Sequence, residues 1–293
     1  MADKTPIDPE VLRLFDGYVH GNLSRREFLD RVASFTASTV SAAALLNALS
    51  PNYALAQQVD PQDRSISVSY KKYASPQGAG VMQGYFARPA VAGHKLPAVV
   101  VIHENRGLNP YIEDVARRLA VAGYIAFAPD ALTPLGGYPG NDDAGRELQR
   151  QRDGAEMVED FFAATEFLME HPDSTGRVGA VGFCFGGGMA MRLAVRMPGL
   201  GAAVAFYGRH PDPSEAAAIH APLMLHHAGL DERINASWPA FEKALVAAGA
   251  DYVNHEYPDV HHGFHNDTTP RYDKDAADLA WQRTLGFFAD RLG

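Results

Sequence analysis

Residues 178–188 read Val-Gly-Ala-Val-Gly-Phe-Cys-Phe-Gly-Gly-Gly, an apolar run followed directly by a cluster of glycines. The apolar part, residues 178–183, is typical of a strand buried on both faces, and residues 187–196 have the pattern of a helix with small residues on its packing face. Between them lies Gly182-Phe183-Cys184-Phe185-Gly186, whose glycines allow a tight strand-to-helix turn of the nucleophile-elbow type. This turn places Cys184 at a helix N-terminus, where the positive end of the helix dipole lowers the pKa of a thiol. The stretch therefore predicts a cysteine nucleophile, although a single cysteine without such a context is more often a small packing residue.

Strand-like and helix-like segments alternate on both sides of this turn. The predicted strands are residues 66–70, 81–87, 98–102, 124–128, 178–183, 202–207, 223–228 and 252–257, and the predicted helices are residues 112–122, 155–169, 187–196, 237–248 and 276–292. Such alternation predicts an α/β fold with a mostly parallel central sheet and helices on both faces. Residues 133–143, which contain three glycines and two prolines, are predicted to form a long loop beside the site.

The composition limits the class of protein. A chain of 293 residues can bury one large core, and 46% hydrophobic and 21% charged residues are ordinary for a globular enzyme. The formal net charge of -9 disfavours nucleic acid and anionic membranes as partners. Cys184 is the single cysteine, so the sequence excludes an intramolecular disulfide and a metal site built from several cysteines.

Two side chains that follow later strands complete a catalytic set with Cys184. Ligands bind beyond the carboxyl ends of parallel strands, so the residues after each strand are the first candidates. Asp231 follows the strand at 223–228, and His262 follows the strand at 252–257. The chain order of nucleophile, acid and base is that of α/β-hydrolases. We therefore predict that Cys184 is the nucleophile, Asp231 the acid and His262 the base.

Other residues compete for these roles. Asp231 also suits a helix N-cap. The remaining candidate aspartates do not follow a strand at the required place between nucleophile and base; they are Asp212, Asp251 and Asp259. We prefer His262 over His261 and His265 because it directly precedes Gly-Phe in a loop that can reach the turn. A zinc site made of the three histidines would fit no common ligand spacing and would leave the turn at Cys184 unexplained.

From about residue 84 to residue 292 the chain resembles the dienelactone hydrolase family. Besides the three residues above, the resemblance rests on His103-Glu104-Asn105-Arg106-Gly107-Leu108-Asn109 and on Phe264-His265-Asn266-Asp267-Thr268-Thr269-Pro270-Arg271-Tyr272. It implies that Glu104 contacts the resting thiol and takes part in its activation when substrate arrives. Alternatively, Glu104 is a structural carboxylate paired with Arg106 or another cation. The resemblance also implies an oxyanion hole formed by the backbone N–H groups of Asn105 and Phe185.

The resemblance leaves the substrate itself open. Well-known members of the family hold a substrate carboxylate with two arginines, one of them four positions after the histidine, where this chain has Asn266. Arg271 is the candidate to replace that arginine, and the second arginine would be Arg146 or Arg150. Tyr207, at the end of a predicted strand, is a candidate wall of the pocket or else a core aromatic residue.

These residues predict an enzyme that cleaves a lactone or a carboxylic ester through an acyl-enzyme on Cys184, with no metal or organic cofactor required. A second class is a non-catalytic protein that binds small molecules on the same scaffold. A third class, a redox thiol protein, is disfavoured because Cys184 has no second cysteine that could resolve it.

Residues 1–56 are predicted to be a leader and residues 57–293 the catalytic domain. Ser24-Arg25-Arg26-Glu27-Phe28-Leu29 resembles the twin-arginine export signal of bacteria, residues 32–49 are too weakly apolar for a stable membrane span, and Ala54-Leu55-Ala56 offers a cleavage site. Such a leader implies export of the folded protein to the periplasm by the twin-arginine machinery. The alternative is a cytoplasmic protein in which the segment is a helical arm, capped by Ser24, that packs on the domain. The acidic residues before the arginines favour this alternative; they are Asp3, Asp8, Glu10 and Asp16.

Overall fold

A computed structural model of the protein describes residues 7–35, 41–55 and 57–293. Eight strands form its sheet: β1 (Ile66–Ser75), β2 (Gly80–Pro89), β3 (Leu96–Ile102), β4 (Ile125–Pro129), β5 (Ser174–Phe183), β6 (Ala202–Phe206), β7 (Leu223–Ala228) and β8 (Tyr252–Tyr257). Their order is β1-β2-β4-β3-β5-β6-β7-β8. The pairs β1–β2 and β2–β4 are antiparallel, and every pair from β4 to β8 is parallel. The carboxyl ends of β3, β5, β6, β7 and β8 therefore meet at one edge of the sheet, where the predicted site residues lie.

The α-helices are α1 (Pro9–Val19), α2 (Arg25–Val32), α3 (Ala42–Leu49), α4 (Pro110–Val121), α5 (Asp142–Gln151), α6 (Gly154–Met169), α7 (Phe185–Arg196), α8 (Glu232–Asn235), α9 (Trp238–Ala248) and α10 (Lys274–Leu292). Helices α4 and α10 pack on one face of the sheet, and α6, α7 and α9 pack on the other. Two apolar layers result, because the central strands carry valine and alanine side chains toward both faces. The predicted α/β class, with a mostly parallel sheet and helices on both faces, is confirmed.

The segment 133–143 is more ordered than the sequence suggested. It contains a short 3-10 helix at Thr133–Leu135 and the first residues of α5. Helix α5 begins after Asn141, whose side chain accepts a hydrogen bond from the backbone N–H of Ala144. This helix was missed because its residues are almost all polar, so it lacks the apolar periodicity that identifies a helix in a sequence.

The N-terminal arm, defined here as residues 7–35 and 41–55, is folded into α1, α2 and α3. Its apolar side chains form a cluster of their own, comprising Val11, Leu12, Leu14, Phe15, Tyr18, Val19, Phe28, Val32, Leu46 and Leu49. Ser24 and Glu27 form a reciprocal capping box at the start of α2, in agreement with the helical-arm alternative.

The leader prediction lies partly beyond the described residues, since Asp3, residues 36–40 and Ala56 fall outside them. Arg25 and Arg26 of the predicted export signal are both exposed. Within the described ranges, none of the helices has the length and apolar character needed to cross a membrane. Cleavage and export stay predictions.

Candidate active site

The turn between β5 and α7 holds Cys184 in a strained conformation. Its backbone φ is 57° and its ψ is -113°, a region that residues with a side chain rarely occupy. The flanking glycines are required by close backbone contacts: a Cβ on Gly182 would lie 1.9 Å from the carbonyl oxygen of Gly186, and one on Gly186 would lie 2.2 Å from that of Ile102. The strand, turn and helix are thus fixed so that the thiol points out of the sheet edge.

His262 and Asp231 form a dyad beside this turn. His262 Nδ1 donates to Asp231 Oδ2 over 2.5 Å, and both side chains are buried. The other carboxylate oxygen, Asp231 Oδ1, accepts the backbone N–H of Ile234 at the start of α8. Asp231 is therefore the N-cap of α8 and the partner of the imidazole at once, through different oxygens. His262 Nε2 is buried and has no hydrogen-bond partner among the residues that the structure describes. A ring nitrogen of His262 lies within 4.8 Å of Cys184 Sγ.

The electrostatics favour an ion pair between thiol and imidazole. Burial alone would raise the pKa of Cys184, but the neighbouring imidazoles of His262 and His20 lower that pKa well below its usual value. Burial would likewise lower the pKa of His262, yet the sulfur of Cys184 and the carboxylate of Asp231 raise this pKa to about 10. The arrangement can therefore hold a thiolate and an imidazolium at neutral pH.

Both predicted oxyanion residues lie where Cys184 faces a cavity of about 1050 Å³. Phe185 is the first residue of α7, so its backbone N–H is not used within the helix. Asn105 follows β3, and its side chain donates to the backbone oxygen of Val19 in the N-terminal arm. The cavity is also lined by His262 and Tyr207.

Glu104 is placed differently from what the family resemblance implies. Its carboxylate lies 3.1 Å from Arg106 Nη2 and accepts a hydrogen bond of 2.9 Å from Asn266 Nδ2. Arg106 in turn is paired with Asp142 of α5 over 2.5 Å. The alternative reading of Glu104, as a carboxylate paired with Arg106, describes these contacts. Asn266, which stands where an arginine was expected, serves to hold Glu104 from the other side.

The predicted substrate-binding residues separate into two places. Tyr207 lies in the cavity with Cys184, and its ring centroid is 4.8 Å from that of His262. Within the described part of the chain its buried hydroxyl has no hydrogen-bond partner. Arg271, in contrast, lines a different cavity of about 850 Å³ under the N-terminal arm. There its guanidinium lies 3.5 Å from Asp16 and over the ring of Phe15. The role of Arg271 in substrate binding stays a prediction; the arm lies over its side chain, and the cavity that it lines is also bordered by His262 and Asp231.

The other sequence candidates are engaged elsewhere. Arg146 pairs with Asp143 and stacks on Tyr18, and Arg150 pairs with Glu147 at the surface. His265 is hydrogen-bonded to the Tyr111 hydroxyl over 2.6 Å inside the core, which removes it from the alternatives for the base and from the zinc reading. Two of the competing aspartates have structural roles, since Asp212 caps a 3-10 helix and Asp251 pairs with Arg291.

His20 and Asp16 of the arm lie at the site but were not among the predicted site residues. His20 Nε2 lies 3.3 Å from Cys184 Sγ, and His20 Nδ1 contacts the backbone oxygen and the carboxylate of Asp16. Donor atoms of His20, Cys184 and His262 lie within 4.8 Å of one another, close enough to share a metal ion. Such an ion would be bound to the Cys184 sulfur that the turn presents to the cavity. The available signal was the amphipathic pattern of residues 9–19, with its Asp8-Pro9 helix start.

Known proteins are similar to this chain in architecture and in sequence. The model of the dienelactone hydrolase family matches residues 82–292, and that of a family described as YqhI-like matches residues 1–37. A protein of Saccharolobus solfataricus, named provisionally as a carboxymethylenebutenolidase, is 32% identical over 228 residues, which are 65% of this chain and 88% of that protein. The Escherichia coli hydrolase fragment YghX, also named provisionally, is 62% identical over 114 residues, which are 39% of this chain and 97% of the fragment.

A crystal structure from Klebsiella pneumoniae, described provisionally as a dienelactone hydrolase, superposes with a TM-score of 0.67 at 29% identity. The superposition covers 76% of this chain and 99% of the other. Fold, family match and relatives agree with one another. The chain belongs to the dienelactone hydrolase family.

Proposed function

We propose that this hydrolase cleaves a lactone or a carboxylic ester through an acyl-enzyme on Cys184. The observation that carries the proposal is the strained Cys184 at the strand-to-helix turn, with the His262–Asp231 dyad beside it and an open cavity in front of it. The relatives named as carboxymethylenebutenolidases support the same reaction class. Thiolate is a better leaving group than an amine, so esters and lactones are favoured over amides as substrates.

In this mechanism the Cys184 thiolate attacks the substrate carbonyl carbon. The resulting oxyanion is stabilised by the backbone N–H groups of Asn105 and Phe185, each of which contributes about 3–4 kcal/mol if it behaves as such donors do in other hydrolases. His262 protonates the leaving oxygen, and the neutral ring then removes a proton from a water molecule that attacks the acyl group. Asp231 holds the imidazole in the tautomer that these proton transfers need.

The cavity favours an anionic substrate. Its lining includes Arg192, Arg196 and Arg209. Arg192 and Arg196 are paired with Glu215 and Glu159 respectively, whereas Arg209 is exposed at the cavity. With Asn266 in place of the expected arginine and Arg271 under the arm, we propose Arg209 as the group that meets a substrate carboxylate.

The test is hydrolysis of dienelactones, simple lactones and nitrophenyl acetate by the wild type and by Cys184→Ala. We expect turnover of at least one lactone by the wild type and none by the variant, with both proteins unfolding at similar temperatures. Equal turnover by both proteins would remove Cys184 from the mechanism. If neither protein turns over any compound while the wild type binds lactones, the scaffold is a binding protein and the proposal fails.

For the N-terminal segment, twin-arginine export to the periplasm stays a prediction from the sequence. Its support is the Ser24–Leu29 motif with two exposed arginines, and a retained cytoplasmic arm is the alternative. Fractionation of cells together with the intact mass of the purified protein separates the two. A periplasmic protein beginning at Gln57 would establish the leader, and a full-length protein would establish the arm.

A further inference from the structure

A second imidazole–carboxylate pair reaches the thiol from the N-terminal arm. His20, which follows α1, brings Nε2 to 3.3 Å from Cys184 Sγ. Its Nδ1 lies 2.8 Å from the backbone oxygen of Asp16 and 3.2 Å from the Asp16 carboxylate. The ring also packs edge-on against His262, with a centroid distance of 4.7 Å. Cys184 is therefore flanked by two dyads, His262–Asp231 and His20–Asp16.

The arm is held in this position by polar contacts of the residues just before His20. The backbone oxygen of Val19 accepts the side-chain amide of Asn105 over 2.7 Å, and the Tyr18 hydroxyl donates to Asp143 over 2.6 Å. Asp16 lies 3.5 Å from Arg271. Since Asn105 is also a predicted oxyanion residue, the arm contacts the nucleophile and the oxyanion loop together.

The partners of Nδ1 fix which nitrogen of His20 can act as a base. The backbone oxygen and the carboxylate of Asp16 are both acceptors, so Nδ1 must carry a proton. That leaves Nε2 with a lone pair directed at the thiol, the relation that a general base has to its nucleophile. The cavity in front of Cys184 stays open although His20 forms part of its lining, so the arm is a wall of the site and does not fill it.

We infer that His20, positioned by Asp16, is a second catalytic histidine that takes the Cys184 thiol proton and holds the nucleophile as a thiolate. The inference rests on the proposed role of Cys184. His262 then serves the leaving group and the attacking water in every cycle, whereas His20 takes the thiol proton once and keeps it.

The proton transfers balance over one catalytic cycle. At rest the thiol proton is on His20 Nε2, and His262 carries a proton from solvent. The thiolate forms the S–C bond, the C–O bond of the ester breaks, and His262 gives its proton to the leaving oxygen. Water then gives a proton back to His262, its hydroxide bonds to the acyl carbon, and the S–C bond breaks to restore the thiolate. His20 keeps its proton throughout.

The charges around His20 are balanced. It faces Asp16 on its own element, Cys184 at the turn, His262 after β8 and Arg233 of α8. Burial and the neighbouring His262 imidazole lower the pKa of His20, while the negative sulfur of Cys184 and the Asp16 carboxylate raise it. The net effect raises the pKa of His20.

The experiment uses the single cysteine as its own reporter, in the full-length chain and with a chelator present. The alkylation rate of Cys184 by iodoacetamide is measured against pH for the wild type, His20→Gln and Asp16→Asn. We expect the midpoint to move upward by about 1–3 pH units in His20→Gln, because a stabilising charge within a few ångströms is lost. We also expect kcat on the best lactone to fall about 10²-fold with KM little changed.

Two controls separate chemistry from folding. Arg13→Gln alters an exposed arm residue that contacts Glu10 and should leave both the midpoint and kcat unchanged. His20→Gly should regain activity with added imidazole, which a merely undocked arm would not allow. An unshifted alkylation midpoint in His20→Gln overturns the inference, and so does a rise in kcat, which would make the arm an inhibitor. A mature chain that begins at Gln57 overturns it as well.

The two proposals can fail separately. Absence of lactone turnover would remove the proposed reaction but leave the alkylation midpoint as a direct measure of the contact between His20 and the thiol. Conversely, turnover that needs Cys184 but is indifferent to His20→Gln retains the reaction and removes the second histidine.

Discussion

Replacing Asp231 by asparagine separates the two hydrogen bonds that its carboxylate makes. Asp231 Oδ1 accepts the N–H of Ile234 over 3.2 Å, and Oδ2 receives the proton of His262 Nδ1 over 2.5 Å. An asparagine can keep its oxygen on Ile234, which places its NH2 group against His262. Because that group is a donor, His262 Nδ1 must become an acceptor and the proton moves to Nε2. The ring then has no lone pair with which to activate water.

The expected loss follows from this change of tautomer. The corresponding change in a serine protease lowers kcat about 10⁴-fold, which is about 5 kcal/mol of transition-state stabilisation. Stability should change much less, because the cap on α8 is kept and the buried imidazole can become neutral when its partner is lost. Asp231→Ala loses the cap as well, and a lost N-cap costs about 1 kcal/mol. For a chain of this size that is a difference in melting temperature of about 1–2 °C.

The assay compares Asp231→Asn and Asp231→Ala for kcat/KM on a lactone and for thermal unfolding. Both variants should be equally inactive, and only the alanine variant should show the additional drop in melting temperature. An asparagine variant with more than about a tenth of wild-type activity would show that Asp231 is a helix cap without a part in catalysis.

Three further outcomes are expected. The kcat/KM of the wild type should fall as the pH rises through about 10, because His262 then loses the proton that the leaving oxygen needs. A fall in kcat/KM near the ordinary pKa of histidine would contradict this. Gly186→Ala should lower the free energy of unfolding, measured in denaturant, by about 3 kcal/mol or more, because its Cβ would lie 2.2 Å from a backbone oxygen. Gly93→Ala is the matched control and should be nearly neutral, because its Cβ would meet open space. Arg209→Gln should raise KM about tenfold or more for a carboxylate-bearing lactone, because one charge-assisted hydrogen bond is lost. KM for nitrophenyl acetate should be unchanged. An equal effect on both substrates would show that Arg209 does not bind the carboxylate.

The local patterns in the sequence predicted the fold and the strand-to-helix turn that holds Cys184. An apolar run, a glycine-flanked cysteine and a helical segment are consecutive in the chain, so the turn at Cys184 could be read directly. Asp231 and His262 were found because the topology of a parallel sheet brings strand ends together, even when they are distant in sequence. Asp231 was predicted to be the partner of the histidine or else a helix cap, and its carboxylate makes both contacts through different oxygens.

The contact of Glu104 with Asn266 and the contacts of Arg271 and His20 could not be derived in the same way. Each depends on a side chain from a distant segment, and the contact of His20 with Cys184 spans 164 positions along the chain. No periodicity or turn signal encodes such a contact. Arg271 was predicted to meet the substrate, but the arm supplies Asp16 as a partner for it, which no local pattern in the sequence indicates.

The way the N-terminal arm is attached has a consequence for biosynthesis. Its apolar side chains face one another in a cluster of their own, and the observed links to the rest of the protein near the site are hydrogen bonds, ion pairs and cation–π contacts. On the ribosome the arm is made before the residues that it contacts and can collapse by itself, and Arg271 is the last of these contacts to be made. The arm therefore gains its full set of contacts only after the turn at Cys184 has been made. A nascent chain that stalls before residue 271 will expose a more accessible cysteine than the finished protein does.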